Sequence, residues 1–138
     1  MKIFDCFMYF DEDLLLDLRF NILNDCIDKF IIIEAAEDHQ GNKRELKFDI
    51  NKFSKFKEKI KYISLKKIPI DKNIKLKNNW HKGHIRDQSM RNCIGDNLME
   101  AEPNDWVIIS DLDEIPNPKK IKNFNPKFKY AFFEQKFL

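Results

Sequence analysis

Apolar residues in this chain gather in short runs, and their spacing changes from one run to the next. Lys2–Phe10, rich in Phe, Tyr and Ile, reads as a first strand, and Asp11 to Asp13 can cap a helix after it. From Leu14 to Cys26, apolar residues at 14, 15, 18, 22, 23 and 26 give a helical stripe. Lys29–Glu34 contains Phe-Ile-Ile-Ile and reads as a buried strand ending in a carboxylate; residues 35–45 are polar, with a turn at Gln40-Gly41-Asn42. Asp49 can cap a short helix that places Ile50, Phe53, Phe56 and Ile60 on one side, before a third strand at Tyr62–Leu65. After an irregular stretch, a helix is predicted over Ile85–Ala101 with Met90, Ile94, Leu98 and Ala101 as its apolar stripe. Glu102-Pro103-Asn104 ends it. Trp106–Ser110 is the fourth strand, read as buried, and Tyr130–Leu138 the fifth.

Strands alternating with helices predict an α/β fold with a mostly parallel sheet and flanking helices. The length of 138 residues predicts a single domain, 1–138, with room for a real core. The chain breaks off inside the fifth strand pattern, so it is expected to be the N-terminal part of a longer catalytic domain. Cys6, Cys26 and Cys93 are odd in number and show no CxxC spacing, so they read as buried thiols in a reducing compartment. The N-terminus lacks the apolar core of a signal peptide, and no run approaches a membrane span. The expected setting is cytoplasmic, with contact at the inner face of a membrane as an option.

Charge sharpens this picture. The net charge of +2 hides an acidic start, a lysine-rich middle over residues 43–82 and a balanced remainder. The basic middle could attract phosphates or an anionic membrane surface. Its lysines alternate with Ile, Leu and Phe, and the pattern of a nucleic-acid binder is weak, so no nucleic-acid partner is expected.

The chemistry-bearing stretch is Asp105-Trp-Val-Ile-Ile-Ser-Asp111-Leu-Asp113-Glu114-Ile-Pro116, an apolar run ending in three carboxylates. Ligands of open α/β sheets bind beyond such strand ends. In extended backbone Asp111 and Asp113 would point the same way, suited to hold Mg²⁺ or Mn²⁺ and through it a diphosphate. Gln88, Arg91 and Asn92, three and four residues apart, are expected to share a helix face turned to the ligand. Glu34 ends its strand at the same sheet edge and could accept a hydrogen bond from a base or ribose. Asp5 reads as a half-polar strand position, and Trp80-His81-Lys82-Gly83-His84 as a connector able to move with substrate.

These residues resemble the family 17 glycosyltransferases, which are N-acetylglucosaminyltransferase-like. The resemblance rests on the Asp105–Pro116 segment, on Lys2–Arg19, on Asp28–Glu34 followed by Gly41, and on Arg91-Asn92, all in the family's order. It implies a GT-A nucleotide-sugar fold and inverting transfer of N-acetylglucosamine from a UDP-sugar to a glycan acceptor. It implies that Asp111 and Asp113 bind metal and diphosphate, that Arg91 and Asn92 line the nucleotide pocket, and that Glu34 lies near the uridine. Members are longer, and the resemblance places the catalytic base beyond Leu138. Two alternatives remain at this level. One is a haloacid-dehalogenase-like phosphatase, against which Ile115 and Pro116 count. The other is a non-catalytic anion-binding module built on the basic segment.

Overall fold

The computed structural model of the chain describes residues 1–134. It contains β1 (Ile3–Met8), α1 (Asp13–Leu23), β2 (Lys29–Ala35), a kinked 3-10 helix (Ile50–Lys59), β3 (Ile60–Leu65), α2 (Asn79–Asp96), β4 (Trp106–Ile109) and α3 (Pro118–Lys122). The four strands form one sheet in the order β3-β2-β1-β4, and every pairing is parallel. The α/β expectation therefore holds. None of the helices in the described residues is long and apolar enough to cross a membrane.

Two apolar layers sandwich the sheet. On one face Phe7, Phe30 and Ile32 pack with Leu16, Phe20 and Leu23 of α1, Phe53 and Phe56 of the 3-10 helix, and Ile121 of α3. Phe20 is the hub of this layer: its ring lies 4.8 Å from that of Phe30, 5.1 Å from Phe56 and 5.4 Å from Phe53. On the other face Phe4, Cys6, Ile31 and Ile33 pack under Met90, Cys93 and Ile94 of α2. Burial pushes the Cys6 thiol up to about 12, as expected for an inert core cysteine. All three cysteines are free.

Several predicted features move. In α1 the buried face is Leu16, Arg19, Phe20 and Leu23, whereas Leu14, Leu18 and Ile22 are exposed. The helix has two apolar sides, and the sheet selects the one that carries the aromatic ring. α2 begins at Asn79, because Asn78 caps it by accepting from the His81 N–H at 2.8 Å, so Trp80–His84 is helix and not a connector. β4 is one of the two edge strands among the described residues, and Val107 and Ile109 on one of its faces are exposed, so it is not buried on both sides. Tyr130–Glu134 forms no strand, and the rest of the predicted fifth strand lies outside the described residues.

Truncating the aromatic hub should be costly. Phe20→Ala is expected to destabilise the chain by about 3–5 kcal/mol, the usual range for deleting a buried ring. Urea denaturation followed by far-ultraviolet circular dichroism measures it.

Candidate functional site

In the order β3-β2-β1-β4 the chain winds outward in one direction from β1 to β3, then crosses back to place β4 on the other side of β1. The strand order reverses at β1 and β4, and ligands of open α/β sheets bind at the carboxyl ends of the strands where such a reversal falls. A cleft of about 310 Å³ lies at this place. It is lined by Met8 at the end of β1 with Tyr9 and Phe10 after it, by Ala35 at the end of β2 with Glu37 and His39 after it, by Asp87 and Met90 of α2, and by Asp111, Leu112 and Asp113 after β4. Glu12 and Leu15 of the α1 start complete the lining.

The loop after β4 does not hold its shape alone. Arg19 of α1 is fully buried and holds Asp5 of β1 through two parallel bonds, Nε to Oδ2 at 2.8 Å and Nη2 to Oδ1 at 2.7 Å. Burial pushes the Asp5 carboxyl above the usual carboxylate range, while the guanidinium pulls it down. The remaining donors go to the loop. Nη1 reaches the carbonyls of Asp111 at 2.8 Å, Leu112 at 3.0 Å and Glu114 at 3.3 Å, and Nη2 reaches the Ser110 hydroxyl at 2.6 Å. One guanidinium thus fastens the segment that carries the carboxylates to the first strand and the first helix. Asp5 is not a half-polar position but the buried anchor of this clamp. Sequence reasoning missed Arg19. The available signals were a charged residue amid Leu16, Phe20 and Leu23 at helical spacing, and an acid inside an apolar strand.

Asp111 and Asp113 come to the cleft by a turn. The strand ends at Ile109, the Glu114 N–H donates to the Asp111 carbonyl at 3.0 Å, and the Ile115 N–H donates to the Asp113 carbonyl at 3.1 Å. The extended-backbone reason for their convergence therefore fails, although both line the cleft. Glu114 folds back to accept from the Asp111 N–H at 3.1 Å, which braces the turn. Arg91 bridges Asp87, at 3.0 Å from Nε to Oδ2, and Asp111, which accepts from Nη2. Its guanidinium is raised further above its ordinary value because these two carboxylates outweigh the opposing effect of burial.

Gln88 and Asn92 lie elsewhere. They line a separate depression with Pro69, Asp71 and Ile85, away from Asp111. Residues 88, 91 and 92 span an arc of about 100° around a helix, and Arg91 stands at the edge of that arc, where its guanidinium goes to Asp87 and Asp111. Glu34 is fully buried and committed to the protein. Its Oε1 accepts from Arg44 at 2.9 Å and the Lys47 N–H at 2.7 Å, and its Oε2 from the Tyr62 hydroxyl at 2.8 Å and the Phe48 N–H at 3.1 Å. It ties the segment after β2 to the sheet and does not line the cleft. Burial, then the Glu34 carboxylate, raise the Tyr62 hydroxyl above its ordinary range, so it stays a donor.

The opposite wall is aromatic. The Phe10 ring stacks on His39, with centroids 6.1 Å apart and planes 7° from parallel, and the Arg44 guanidinium lies 4.1 Å from the Phe10 centroid. His39 is held by a tight turn in which Asp38 accepts from the N–H groups of Gln40 and Asn42 at 2.9 and 2.8 Å. Gly41 closes this turn with φ of +87°, a backbone conformation that strains any residue carrying a Cβ.

The lining carries five carboxylates, those of Glu12, Glu37, Asp87, Asp111 and Asp113, and no lysine or arginine. Such a cleft repels a bare diphosphate. Among the described residues no three His, Cys, Asp or Glu side chains stand close enough to form a protein-only metal cage. Mg²⁺, however, is usually held by one or two carboxylates completed by substrate phosphates and water, and the two turn aspartates fit that description.

Comparisons with known proteins give the family. The sequence model of glycosyltransferase family 17 matches residues 1–126. The β-1,4-mannosyl-glycoprotein 4-β-N-acetylglucosaminyltransferases of Homo sapiens and Rattus norvegicus are each 31% identical over 110 residues, which is 74% of this chain. That of Mus musculus is 30% identical over the same length. The chain spans 19% of the length of these curated relatives. No solved structure matches it.

The Arg19 clamp makes a two-part prediction. Arg19→Ala leaves the Asp5 carboxylate buried without its partner and should cost about 3–5 kcal/mol. The apolar double replacement Asp5→Leu/Arg19→Met should recover much of that stability, because no buried charge is left unpaired. It should not restore the loop, whose carbonyls still lack their donors. Denaturation measures the first part. Amide hydrogen exchange at 110–115, faster in both variants than in the parent chain, measures the second.

Proposed function

Because the chain belongs to glycosyltransferase family 17, we propose that the cleft at its sheet edge binds a UDP-sugar through a divalent cation for transfer of the sugar to a glycan hydroxyl. In this reading the fold is the donor-binding part of a GT-A domain. The donor sugar is N-acetylglucosamine or a close relative, in keeping with the activity for which the curated relatives are named.

The observation that carries the metal requirement is the acidic lining. Two phosphate groups beside five carboxylates, of which Arg91 compensates only Asp87 and Asp111, call for added positive charge. Mn²⁺ or Mg²⁺ bound by Asp111 and Asp113 would supply it, and would stabilise the nucleoside diphosphate as it leaves. Arg91 supplies the counter-charge to Asp111 and is placed to share it with a phosphate oxygen, for which its planar fork is suited. The Phe10–His39 stack and the apolar side chains of Met8, Leu15 and Leu112 offer the nucleoside an apolar wall. Glu34, Gln88 and Asn92 have no donor-binding role in this arrangement. Glu34 is consumed by the fold, and the other two face the separate depression.

An inverting transfer also needs a base within hydrogen-bond reach of the acceptor hydroxyl. Of the carboxylates lining the cleft, Glu12 braces the α1 start, Glu37 accepts from the Ile68 N–H at 3.0 Å, Asp87 is paired with Arg91, and Asp111 and Asp113 are assigned to the cation. We therefore assign the base to polypeptide outside these 138 residues. Family membership sets aside the phosphatase alternative, and the basic segment contributes no lysine to the cleft lining, its nearest part being Arg44 against Phe10.

Calorimetric titration tests the proposal. UDP should bind in the presence of Mn²⁺ and lose at least about tenfold in affinity, or about 1.4 kcal/mol, when the metal is chelated or in Asp113→Ala. Asp113 is exposed and holds no protein partner in the turn through its side chain, so that variant should keep its fold. UDP binding of equal strength with and without metal would refute the cation-bridged site.

A further inference from the structure

One stripe of α2 runs from the cleft out to solvent. Trp80, His84, Asp87 and Arg91 are spaced by four, three and four residues, so they form a single ridge about 16 Å long. Its inner end is Arg91, bonded to Asp111 at the cleft, and its middle is Asp87, which lines the cleft. Its outer end is an aromatic pair. The Trp80 and His84 rings stack with centroids 5.2 Å apart and planes 5° from parallel. Trp80 is 75% exposed and His84 is exposed too. The pair is held beside the cleft rim. Gln40 donates through Nε2 to the Asn79 carbonyl at 3.2 Å, and the His39 Cβ is 3.8 Å from where a Cβ on Gly83 would stand.

A tryptophan this exposed does nothing for the core, since the second apolar layer uses Met90, Cys93 and Ile94 of the same helix. Stacking on His84 instead fixes its plane and leaves one broad face open. A flat π face is negative at its centre, so it attracts the weakly positive C–H bonds on the face of a pyranose ring. The sugar's hydroxyls stay at the ring edge, in water. No cation is needed for such a ligand, in contrast to the donor cleft.

We propose that the Trp80–His84 pair is a binding platform for a neutral pyranose residue of the acceptor glycan, which it holds along the α2 ridge with the reacting end toward Asp111. The proposal rests on the glycosyltransferase reading for the identity of the acceptor. The platform itself rests on the ridge and on the exposed stack. It lies outside the lining of the donor cleft, and the cleft has its own aromatic wall in Phe10 and His39 for a nucleoside. The sugar on the platform is therefore distinct from the donor.

The chain has two tryptophans, and the other, Trp106, packs edge-on against Phe124 at 4.3 Å. In a Trp106→Phe background Trp80 is the sole indole emitter. Titrating that protein with a β-1,4-linked mannose oligosaccharide should change its emission in a saturable way. In the parent chain the same binding should be seen by calorimetry, should weaken about tenfold in Trp80→Ala and should be largely retained in Trp80→Phe. UDP binding with Mn²⁺ should be unchanged in both variants. If UDP with Mn²⁺ binds and the oligosaccharide leaves Trp80 untouched, the platform is refuted and the donor site stands. Oligosaccharide binding without any UDP binding would uphold the platform and refute the donor site. Saturable quenching of Trp80 by UDP alone would also refute the platform, since the pair would then belong to the donor.

Discussion

The buried pair of Asp5 and Arg19 is the constraint on which the site depends. A carboxylate and a guanidinium taken wholly out of water carry a desolvation penalty that their attraction offsets only when the remaining donors are also satisfied. Here they are. Nε and one bond from Nη2 go to the carboxylate, and the rest go to one hydroxyl and three carbonyls of the loop after β4. The carbonyls of that loop cannot be paired in a ladder, because the strand has ended. They are paired instead by a side chain that arrives from α1. An apolar pair of the same size would satisfy the core as well, and would leave the loop without a fixed shape.

Position and charge then combine. The crossover that places β4 beside β1 opens the crevice, and the clamp sets Asp111 and Asp113 at its edge. Arg91, from the opposite layer, balances part of that charge from α2. The result is a cleft with excess negative charge at one wall and stacked rings at the other. In the proposed reading such a cleft takes a ligand that is itself split between a cation-bound anion and an apolar, planar group. A nucleotide-sugar bound with a metal has that form. The α2 ridge ties the cleft to the proposed platform, since Arg91 and Trp80 stand on one helix and their separation is set by helical rise.

Much of this is legible from residue order. The Phe-Ile-Ile-Ile run, the Asp49 cap and the apolar run before Asp111 mark strands and a helix start that the structure contains. The alternation of elements names the fold class, and the resemblance names the family that the comparisons bear out. The failures share a cause. Hydropathy alone ranks Leu14, Leu18 and Ile22 of α1 with Leu16 and Phe20, and only the sheet decides which side is covered. Chemical type and nearness in sequence place Glu34, Gln88 and Asn92 in the site. Type cannot reveal that four protein donors already occupy Glu34. Nor can it reveal that a helical turn of about 100° per residue parts Arg91 from Asn92.

The sequence by itself determined what is local or periodic: strands, caps, the glycine turn at Gly41, and two aspartates at the end of an apolar run. Backbone preference and hydrophobic spacing act over a few residues, so they can be read in order along the chain. Tertiary structure alone decided which carboxylates are free and which are spent. It paired Asp5 with Arg19, buried Glu34, and turned Asp111 and Asp113 into a cleft beside Arg91. A carboxylate's role is set by which donors reach it and how much water remains, and those neighbours come from parts of the chain as far apart as residues 19 and 114.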